Sequence, residues 1–298
     1  MVETAQNPTK TIKFKIIDVL LLLGAILPLL LLIVLKVLYT DAGDGVILTG
    51  ALIYFEVTSM PFQPLYITEA TVNSAAVIVV IFFLCLYLTH GLSEKPYTKR
   101  QLLVEWIVEK VKGLVKDNMG KAFDIFAPFI AAIMSISALS SLLSLLGLYP
   151  ATSDLNITAG WAILVFILIT YYKFKCGPLH YVKSFLEPVA ILAPINFVSE
   201  FATPVSMAFR HYGNILSGVV VSQLIAYALK GLSKMVLWFT DIPFLQIGIP
   251  GVLSIYFDVF SGCLQAFIFA TLTMMYISNA FDSDEFERRR LRKLQKKK

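Results

Sequence analysis

Six long apolar stretches restrict the fold of this chain more than any other feature of its sequence. They cover 16–39, 73–92, about 123–148, about 157–172, about 185–229 and about 245–281. A helix needs roughly 20 apolar residues to cross about 30 Å of hydrocarbon. Charged residues make up 15% of the chain, against about 25% in soluble domains, and the mean hydropathy is +0.76. The sequence therefore predicts an all-α polytopic membrane protein with about six membrane helices.

The first stretch, 16–39, is either a retained membrane helix or a cleaved signal peptide. It is longer than the apolar region of a signal peptide, and no convincing cleavage site of small residues follows it. We expect a retained helix. Its Lys36 lies near the outer end, where we expect the long side chain to reach outward to water.

The last two stretches are too long for ordinary crossings. As one helix, 185–229 would extend about 65 Å, twice the hydrocarbon thickness. Pro188, Pro194 and Pro204 are expected to break its early part, because proline removes a helical hydrogen bond. The last stretch has the same excess length. Together they predict a long, tilted C-terminal helical hairpin that lies along another object.

Residues 99–118 have the pattern of an amphipathic helix. The apolar stripe consists of Leu103, Trp106, Ile107, Val111, Leu114 and Val115. Lysines and glutamates occupy the remaining surface. A basic helix of this kind between two spans is typical of the membrane surface, so we predict an interfacial helix here.

The placement of lysine and arginine predicts the orientation in the membrane. Most of the 25 basic residues fall in 1–15, 93–122, 173–184 and 282–298, which alternate with segments poor in basic residues. Because basic loops stay on the cytoplasmic side, both termini are predicted to be cytoplasmic. The basic tail is expected to contact acidic lipid headgroups rather than nucleic acid.

The sequence contains no candidate metal or cofactor site. Cys85, Cys176 and Cys263 lie far apart, and the three histidines lack the spacing of metal ligands. The run at 113–121, GLVKDNMGK, differs from a phosphate-binding loop in its spacing. We therefore expect neither a bound metal nor a cofactor.

Arg210 is a permanent charge inside an apolar stretch, in the run TPVSMAFRHYGN. A charge inside the membrane costs about 2.5–3.5 kcal/mol on insertion scales, and it usually faces protein or water. Glu200 precedes it by about 15 Å along a helix axis, and no carboxylate follows on the same helix. A snorkelling side chain or a fixed ion pair is thus disfavoured, and we expect a partner on another chain.

Polar residues on the last two long helices form two stripes with helical spacing. The first stripe contains Thr203, Ser206, Arg210, Asn214 and Ser217, and the second contains Asp258, Ser261 and Gln265. Gly213 and Gly218 keep the first helix slim, which permits close helix approach. If the stripes face each other, they line a hydrated path; simple helix packing is the alternative.

Two runs carry a resemblance to a known family. TPVSMAFRHYGNILSG (203–218) and LQAFIFATLTMMYIS (264–278) resemble subunit a of F-type ATP synthases. On its penultimate helix, that family has an arginine followed by Gly-Asn and then by two adjacent small residues. On its last helix, it has a glutamine. Further runs fit in the same order, at 101–121, 145–166 and 184–200.

The resemblance also suggests a domain organisation. It covers 73–281 as the membrane domain. Residues 1–72 then form an N-terminal segment with an extra membrane helix and an external loop, and 282–298 form a basic cytoplasmic tail.

In this family, subunit a stands beside a rotating ring of c subunits, each with an ion-carrying carboxylate. The resemblance implies that Arg210 faces this ring, favours the ionised carboxylate and separates two aqueous half-channels. Asn214 and Gln265 match polar positions beside that arginine. Glu200 matches a carboxylate near the cytoplasmic opening, and Asp258 would lie on the external path.

The resemblance further implies partners and a location. The partners are the c-ring, subunit b of the peripheral stalk, the lipid bilayer and the soluble catalytic head. The location is an energy-coupling membrane such as the bacterial plasma membrane. The chain itself would carry ions for a rotary ATP synthase without performing catalytic chemistry.

This sequence departs from the family at two places. Many members pair an acidic residue with a histidine on the external path, at positions matching Val219 and Asp258. Only Asp258 is ionisable here, so the path uses Asp258 with water, or the ion is Na⁺ rather than H⁺. His211 follows the arginine where a hydrophobic residue is usual; we expect packing or an interface rather than a relay.

Two other classes of protein are rivals. A secondary transporter working alone would show an internal repeat and a central site of broken helices, and no convincing repeat is visible. A structural membrane scaffold explains the apolar stretches. It does not explain Arg210 between polar stripes. We expect the polar face around these stripes to be supported by Ser206, Ser217, Ser261 and His211.

Overall fold

The computed structural model describes residues 8–39, 51–57, 64–92, 98–178, 181, 185–186, 190–236 and 248–281. The predicted basic tail, Pro188 and most of the connection between the last two long helices lie outside these residues.

Eight α-helices make up most of the described chain. In order they are α1 Pro8–Tyr39, α2 Glu69–Thr89, α3 Lys99–Met119, α4 Ala127–Leu142, α5 Leu155–Cys176, α6 Ala193–Val236, α7 Ile249–Ser254 and α8 Gly262–Ala280. A π-helical segment, Ile255–Ser261, joins α7 to α8 without a break. Turns of 3₁₀ helix lie at Lys121–Phe126, Leu143–Leu146, Ala151–Ser153 and Ala190–Leu192.

Six helical stretches are long and apolar enough to cross a membrane. They are Lys15–Tyr39, Glu69–Thr89, Phe123–Leu146, Leu155–Cys176, Ala193–Met235 and Gly251–Ala280. Their lengths match the thickness of hydrocarbon or exceed it. The prediction of an all-α polytopic membrane protein is confirmed, and the chain is a multi-pass integral membrane protein.

A β-hairpin lies in the segment that the sequence indicated as an external loop. β1, Ile53–Val57, pairs antiparallel with β2, Leu65–Thr68, and Glu56 lies opposite Tyr66. Aromatic and β-branched residues in the first strand favour this pairing. Thr68 then caps α2 by accepting a hydrogen bond from the Thr71 backbone N–H, so this helix begins four residues earlier than predicted.

The expected break at Pro204 is absent. α6 runs through this proline for 44 residues, about 66 Å of helix, and Pro194 is its second residue, where no N–H is needed. Pro204 is buried, as are Met207 and Ala208. Packing on this side holds the helix together although proline removes one hydrogen bond.

α8 lies at the centre of the main hydrophobic core. Its Phe269, Ala270, Met274 and Ile277 are each no more than 1% exposed, and they pack against residues of α3, α4 and α5. The amphipathic α3 contributes Val115 from its C-terminal half, whereas Leu103 and Trp106 nearer its start are exposed. The apolar stripe of α3 is thus shared between the core and the outer surface of the protein.

Candidate functional site

The two predicted polar stripes meet where α6 packs against the π-helical segment. Asn214 Nδ2 donates a hydrogen bond to Ser261 Oγ at 2.9 Å, and Ser261 Oγ donates to Asn214 Oδ1 at 3.1 Å. One turn further along α6, a Cβ added at Gly218 would lie 3.2 Å from Phe257 Cβ. Close packing through Gly218 agrees with its predicted role.

These two contacts define an antiparallel register. Asn214 lies opposite Ser261, and Gly218 lies opposite Phe257. Extended by one turn, the same register places Arg210 at the level of Gln265. Asp258 lies on the π-helical segment, whose wider turns are frequent at functional sites.

Arg210 lies on an open face of α6. The side chains of Ser206, Arg210 and Ser217 are exposed, and a Cβ added at Gly213 would have no atom within 4 Å. We call these four residues the open face. Among the residues that the structure describes, the Arg210 guanidinium has no ion pair and no hydrogen bond. Gly213 therefore faces open space rather than the hairpin partner, and its role in close helix approach stays a prediction.

Gln265 and Asp258 are placed differently from Arg210. Gln265 is 5% exposed and faces the interior of the helix bundle. Asp258 is half-buried. No hydrogen bond joins Gln265 to Arg210 in the described part of the chain, although they share a level along the hairpin.

His211 lies in the core and not on the open face. It is fully buried, its Nε2 is 3.1 Å from Ser137 Oγ, and its ring packs against Trp161 and Phe269 with centroids 5.8 and 5.4 Å away. Adjacent residues of a helix point about 100° apart, which directs the ring toward α4, α5 and α8. The contacts are those of a packing residue.

A small cavity of about 150 Å³ lies beside Glu200. Lys173 at the end of α5 donates to both Glu200 oxygens, at 2.7 and 2.5 Å, and Tyr181 Oη donates to Oε1 at 3.4 Å. Thr203 and Asn279 also line the cavity. Burial, and after it the Glu200 carboxylate, raises the pKa of Tyr181, so its hydroxyl remains a donor.

A larger cavity of about 720 Å³ lies at the opposite end of α5. Its walls come from the β-hairpin, the start of α2, the segment before α5, and Tyr212 of α6. Tyr149, Asp154 and Asn156 contribute polar groups to it. Burial raises the pKa of Tyr149, with smaller contributions from Asp154, Tyr212 and Glu69. Tyr212 is the point at which this cavity reaches the helix that carries Arg210.

Buried polar atoms accompany this larger cavity. Asn73 Oδ1, Thr152 Oγ1 and Ser153 Oγ are buried and find no hydrogen-bond partner among the residues that the structure describes. Buried groups of this kind are usually satisfied by internal water. This end of the helix bundle therefore has the polarity of a hydrated region.

Sequence reasoning missed several residues of these cavities. Lys173 was assigned only to a basic segment, and Tyr149, Asp154 and Tyr212 were not singled out. A signal for Lys173 was available. A lysine in the last turn of one membrane helix can form an ion pair with a carboxylate at the same membrane depth on the following helix. No cluster of three or more potential metal ligands occurs in the described ranges.

The fold and the site together define a class: a polytopic membrane protein with a long helical hairpin and an arginine on its open face that no described residue pairs with. One polar cavity touches the same helix before this arginine in the chain, and another touches it just after. Comparison with known proteins identifies the family. The family described as ATP synthase A chain matches residues 71–278. The chain belongs to this family, and it is subunit a of the Fo sector, a component of a multisubunit ATP synthase.

Bacterial relatives agree with this assignment. The chain is similar to ATP synthase subunit a of Priestia megaterium, with 33% identity over 217 residues, covering 69% of this chain and 88% of the relative. Similarity to subunit a of Enterococcus hirae reaches 32% over 224 residues, covering 70% and 89%. Subunit a of Listeria monocytogenes is 31% identical over 219 residues. The resemblance seen in the sequence motifs is confirmed.

Proposed function

We propose that this chain is the stationary ion-translocating subunit of an F-type ATP synthase. It passes H⁺ or Na⁺ to and from a rotating ring of c subunits through two aqueous half-channels. Arg210 separates the half-channels and favours the ionised form of each ring carboxylate. The catalytic chemistry belongs to the soluble head of the complex.

The unpaired guanidinium of Arg210 carries this proposal. It is exposed on a membrane-spanning helix, and the described residues supply no carboxylate to it. An unpaired charge in the membrane is costly, so a polar or charged partner must come from outside the chain. The small side chains of the open face leave room for another helix to approach closely.

A carboxylate on the approaching helix gives the arginine its role. An opposite charge within about 4–6 Å lowers the pKa of a carboxyl group by about 1–3 units. A ring carboxylate that arrives beside Arg210 therefore releases its ion, and it regains an ion after moving away. The fixed positive charge also repels a cation that would pass directly between the half-channels.

The two cavities support offset half-channels. One touches α6 at Glu200 and Thr203, before Arg210 in the chain, and the other touches α6 at Tyr212, just after it. Along α5, the last residue lining one cavity, Ile157, and the first lining the other, Phe166, are about 14 Å apart along the helix axis. In this arrangement, an ion passes from one cavity to the other only when it is bound to a moving carboxylate of the ring.

Individual residues have assigned roles within the proposal. Glu200, held by Lys173, borders the inner half-channel. Asp258, Asn214 and Gln265 border the outer one, where Asp258 acts with water because Val219 is not ionisable. Ser206, Ser217 and Ser261 support the polar surface.

The surroundings of the chain follow from the same proposal. Both termini lie in the cytoplasm, so the Glu200 cavity opens inward and the Tyr149 cavity opens outward. The partners are the c-ring, the peripheral-stalk subunit b, the lipid bilayer and the catalytic head. The membrane is an energy-coupling one such as the bacterial plasma membrane.

ATP-driven ion uptake tests the role of Arg210. Inverted vesicles with the assembled complex are given ATP, and acidification and Na⁺ entry are followed together. Arg210→Ala should abolish coupled uptake, a loss of at least about 100-fold, because each step of the ring would lack its charge barrier. Lys230→Ala, which removes an exposed positive charge from the same helix, is the matched control and should behave as wild type.

The two ion signals also identify the coupling ion. Acidification that disappears in Arg210→Ala names H⁺, and Na⁺ entry that disappears names Na⁺. Normal coupled uptake by an assembled Arg210→Ala complex would contradict the proposal.

A further inference from the structure

α1 lies outside the residues that the family model matches. Side-chain ion pairs nevertheless join both of its ends to other helices. Near its start, Asp18 Oδ1 accepts a hydrogen bond from Arg100 Nη1 at 3.1 Å and lies 3.0 Å from His90 Nδ1. Near its end, Lys36 Nζ donates to Glu69 Oε1 at 2.9 Å. A helix that only anchored the chain in lipid would not need a specific ion pair at each end.

Between these ends, α1 packs closely on α2. A Cβ added at Gly24 would lie 2.7 Å from the Phe83 ring, so any larger residue here would have to displace that ring. Leu32 is 2% exposed and packs with Ala76 and Val77. Asp18, Ala25, Leu32 and Lys36 recur at spacings of seven and four, which places them on one face of the helix.

Glu69 is the notable partner, because its carboxylate is almost fully buried. The residue is 1% exposed, and Lys36 is the cation bonded to it. The same Oε1 atom accepts a hydrogen bond from the Tyr149 backbone N–H at 3.1 Å. Removing one member of a buried ion pair leaves an uncompensated charge, which is far more disruptive than replacing both members.

Glu69 and Asn73 hold the same backbone residue from one face of α2. Asn73 is 1% exposed, and its Nδ2 donates to the Tyr149 carbonyl at 2.7 Å. Both polar groups of the Tyr149 backbone are thus bound by side chains one helical turn apart. The backbone N–H of Glu69 also donates to the Leu52 carbonyl at 2.7 Å, which ties the β-hairpin to the same point.

Tyr149 is a wall of the outer cavity, together with Asp154 and Tyr212. The Glu69 carboxylate faces Lys36 from α1 and the Tyr149 backbone N–H, and it acts electrostatically on Tyr54 from β1 and on the Tyr149 hydroxyl, which Asp154 and Tyr212 also influence. Lys36 is the positive charge in this set. Its contact with Glu69 therefore fixes the position of the carboxylate that holds the Tyr149 backbone.

We propose that Lys36 and Glu69 are positioning residues of the outer ion opening, and that α1 is a brace whose outer end holds the cavity wall at Tyr149. This inference rests on the proposed half-channel function. Neither side chain needs to bind the translocated ion. They act through Tyr149, by fixing the width and polarity of the passage that leads to Tyr212.

The test measures ATP synthesis as a function of ion concentration on the outer side alone. Inverted vesicles with the assembled complex are loaded with different lumenal concentrations of H⁺, or of Na⁺ in a separate series, at a fixed external medium. Lys36→Met should raise the lumenal concentration for half-maximal synthesis by about tenfold, with little change in the maximal rate. The dependence on the external, cytoplasmic-side ion should not move.

Two further variants separate positioning from general loss of structure. Combining Lys36→Met with Glu69→Gln should return the lumenal ion concentration for half-maximal synthesis close to its wild-type value. The amide oxygen at position 69 can still accept from the Tyr149 N–H, and no charge is left buried. Asp18→Asn loosens the other end of α1 and should leave the lumenal dependence unchanged. The inference would be overturned if Lys36→Met kept the wild-type lumenal concentration for half-maximal synthesis. It would also be overturned if Asp18→Asn raised that concentration as much as Lys36→Met does.

Assembly is measured for every variant. If Lys36→Met fails to assemble, the double variant decides: assembly with near-normal lumenal dependence supports the inference, and failure of the double variant as well refutes it. Arg210→Ala is run in parallel. Loss of coupling there with no shift in Lys36→Met would refute the brace alone, whereas retained coupling in Arg210→Ala would refute the proposed function itself.

Discussion

At the scale of single residues, the role of a charged side chain depends more on the partner it meets in the fold than on its residue type. Lys36 was expected to reach outward to water; its side chain is 30% exposed, and its Nζ also lies 2.9 Å from the buried Glu69 carboxylate, a partner that the sequence did not indicate. Glu200 was identified from the sequence, but its cation, Lys173, was not. Arg210 is the opposite case: the described residues give its guanidinium no ion pair, and a partner on another chain stays a prediction.

His211 provides a test at this scale. His211→Phe should leave ATP-driven ion uptake close to wild type, because the ring contacts to Trp161 and Phe269 persist, and should cost about 1 kcal/mol through the hydrogen bond lost to Ser137. His211→Ala should cost about 3–5 kcal/mol, as for other large core side chains. Stability is measured by heating the assembled complex in detergent. An assembled His211→Phe complex without uptake would show that the imidazole is a relay.

At the scale of elements, helix packing decides where small residues matter. Gly218 and Gly262 lie at close contacts, against Phe257 and Ser141, whereas Gly213 faces open space. The sequence placed glycines correctly on the hairpin but could not assign their directions. The π-helical segment at Ile255–Ser261 shifts the second polar stripe in a way that regular 3.6-residue spacing does not describe.

A matched pair of glycine substitutions tests this packing. Gly262→Ala would place its Cβ 2.7 Å from Ser141 Cβ, so it should destabilise the subunit by about 1–3 kcal/mol. Gly213→Ala meets nothing within 4 Å and should stabilise the helix by up to about 1 kcal/mol. Thermal unfolding of both variants in the same detergent compares them. Equal effects of the two substitutions would refute the packing described for α8.

At the scale of the whole molecule, the open face of α6 is the surface that a partner should cover. It combines Arg210 with small neighbours along a helix longer than one membrane crossing. Its length and the proposed tilt suit a hairpin that follows the curved surface of a ring. The β-hairpin lines the larger cavity instead, and α1 contacts the surroundings of that cavity through the Lys36–Glu69 pair.

Disulfide cross-linking tests which face meets the ring. In a chain whose three native cysteines are serine, Ser206→Cys and Ser217→Cys should each cross-link to a cysteine placed beside the carboxylate of the c subunit. Ser137→Cys, at a fully buried position, should not. The products are read by mass on non-reducing gels of the assembled complex. Cross-linking from Ser137→Cys alone would place the ring on a different face.

The sequence by itself determined the class of the protein. Apolar stretches of sufficient length must form helices in a membrane, because unpaired backbone groups are too costly there. The motif around Arg210 also indicated the family, and the period of the helix predicted that Asn214 and Ser261 belong to polar stripes. These features are local or follow from the solvent, so they can be seen without a structure.

Only the tertiary structure decided the contacts between distant segments. Lys36 and Glu69, Lys173 and Glu200, and both cavities bring together residues that are far apart in the chain. The direction of His211 and Gly213 likewise depends on which neighbours α6 meets. Such pairings depend on how helices cross, and the energy of a buried charge or a close contact is defined only when its partner is in place.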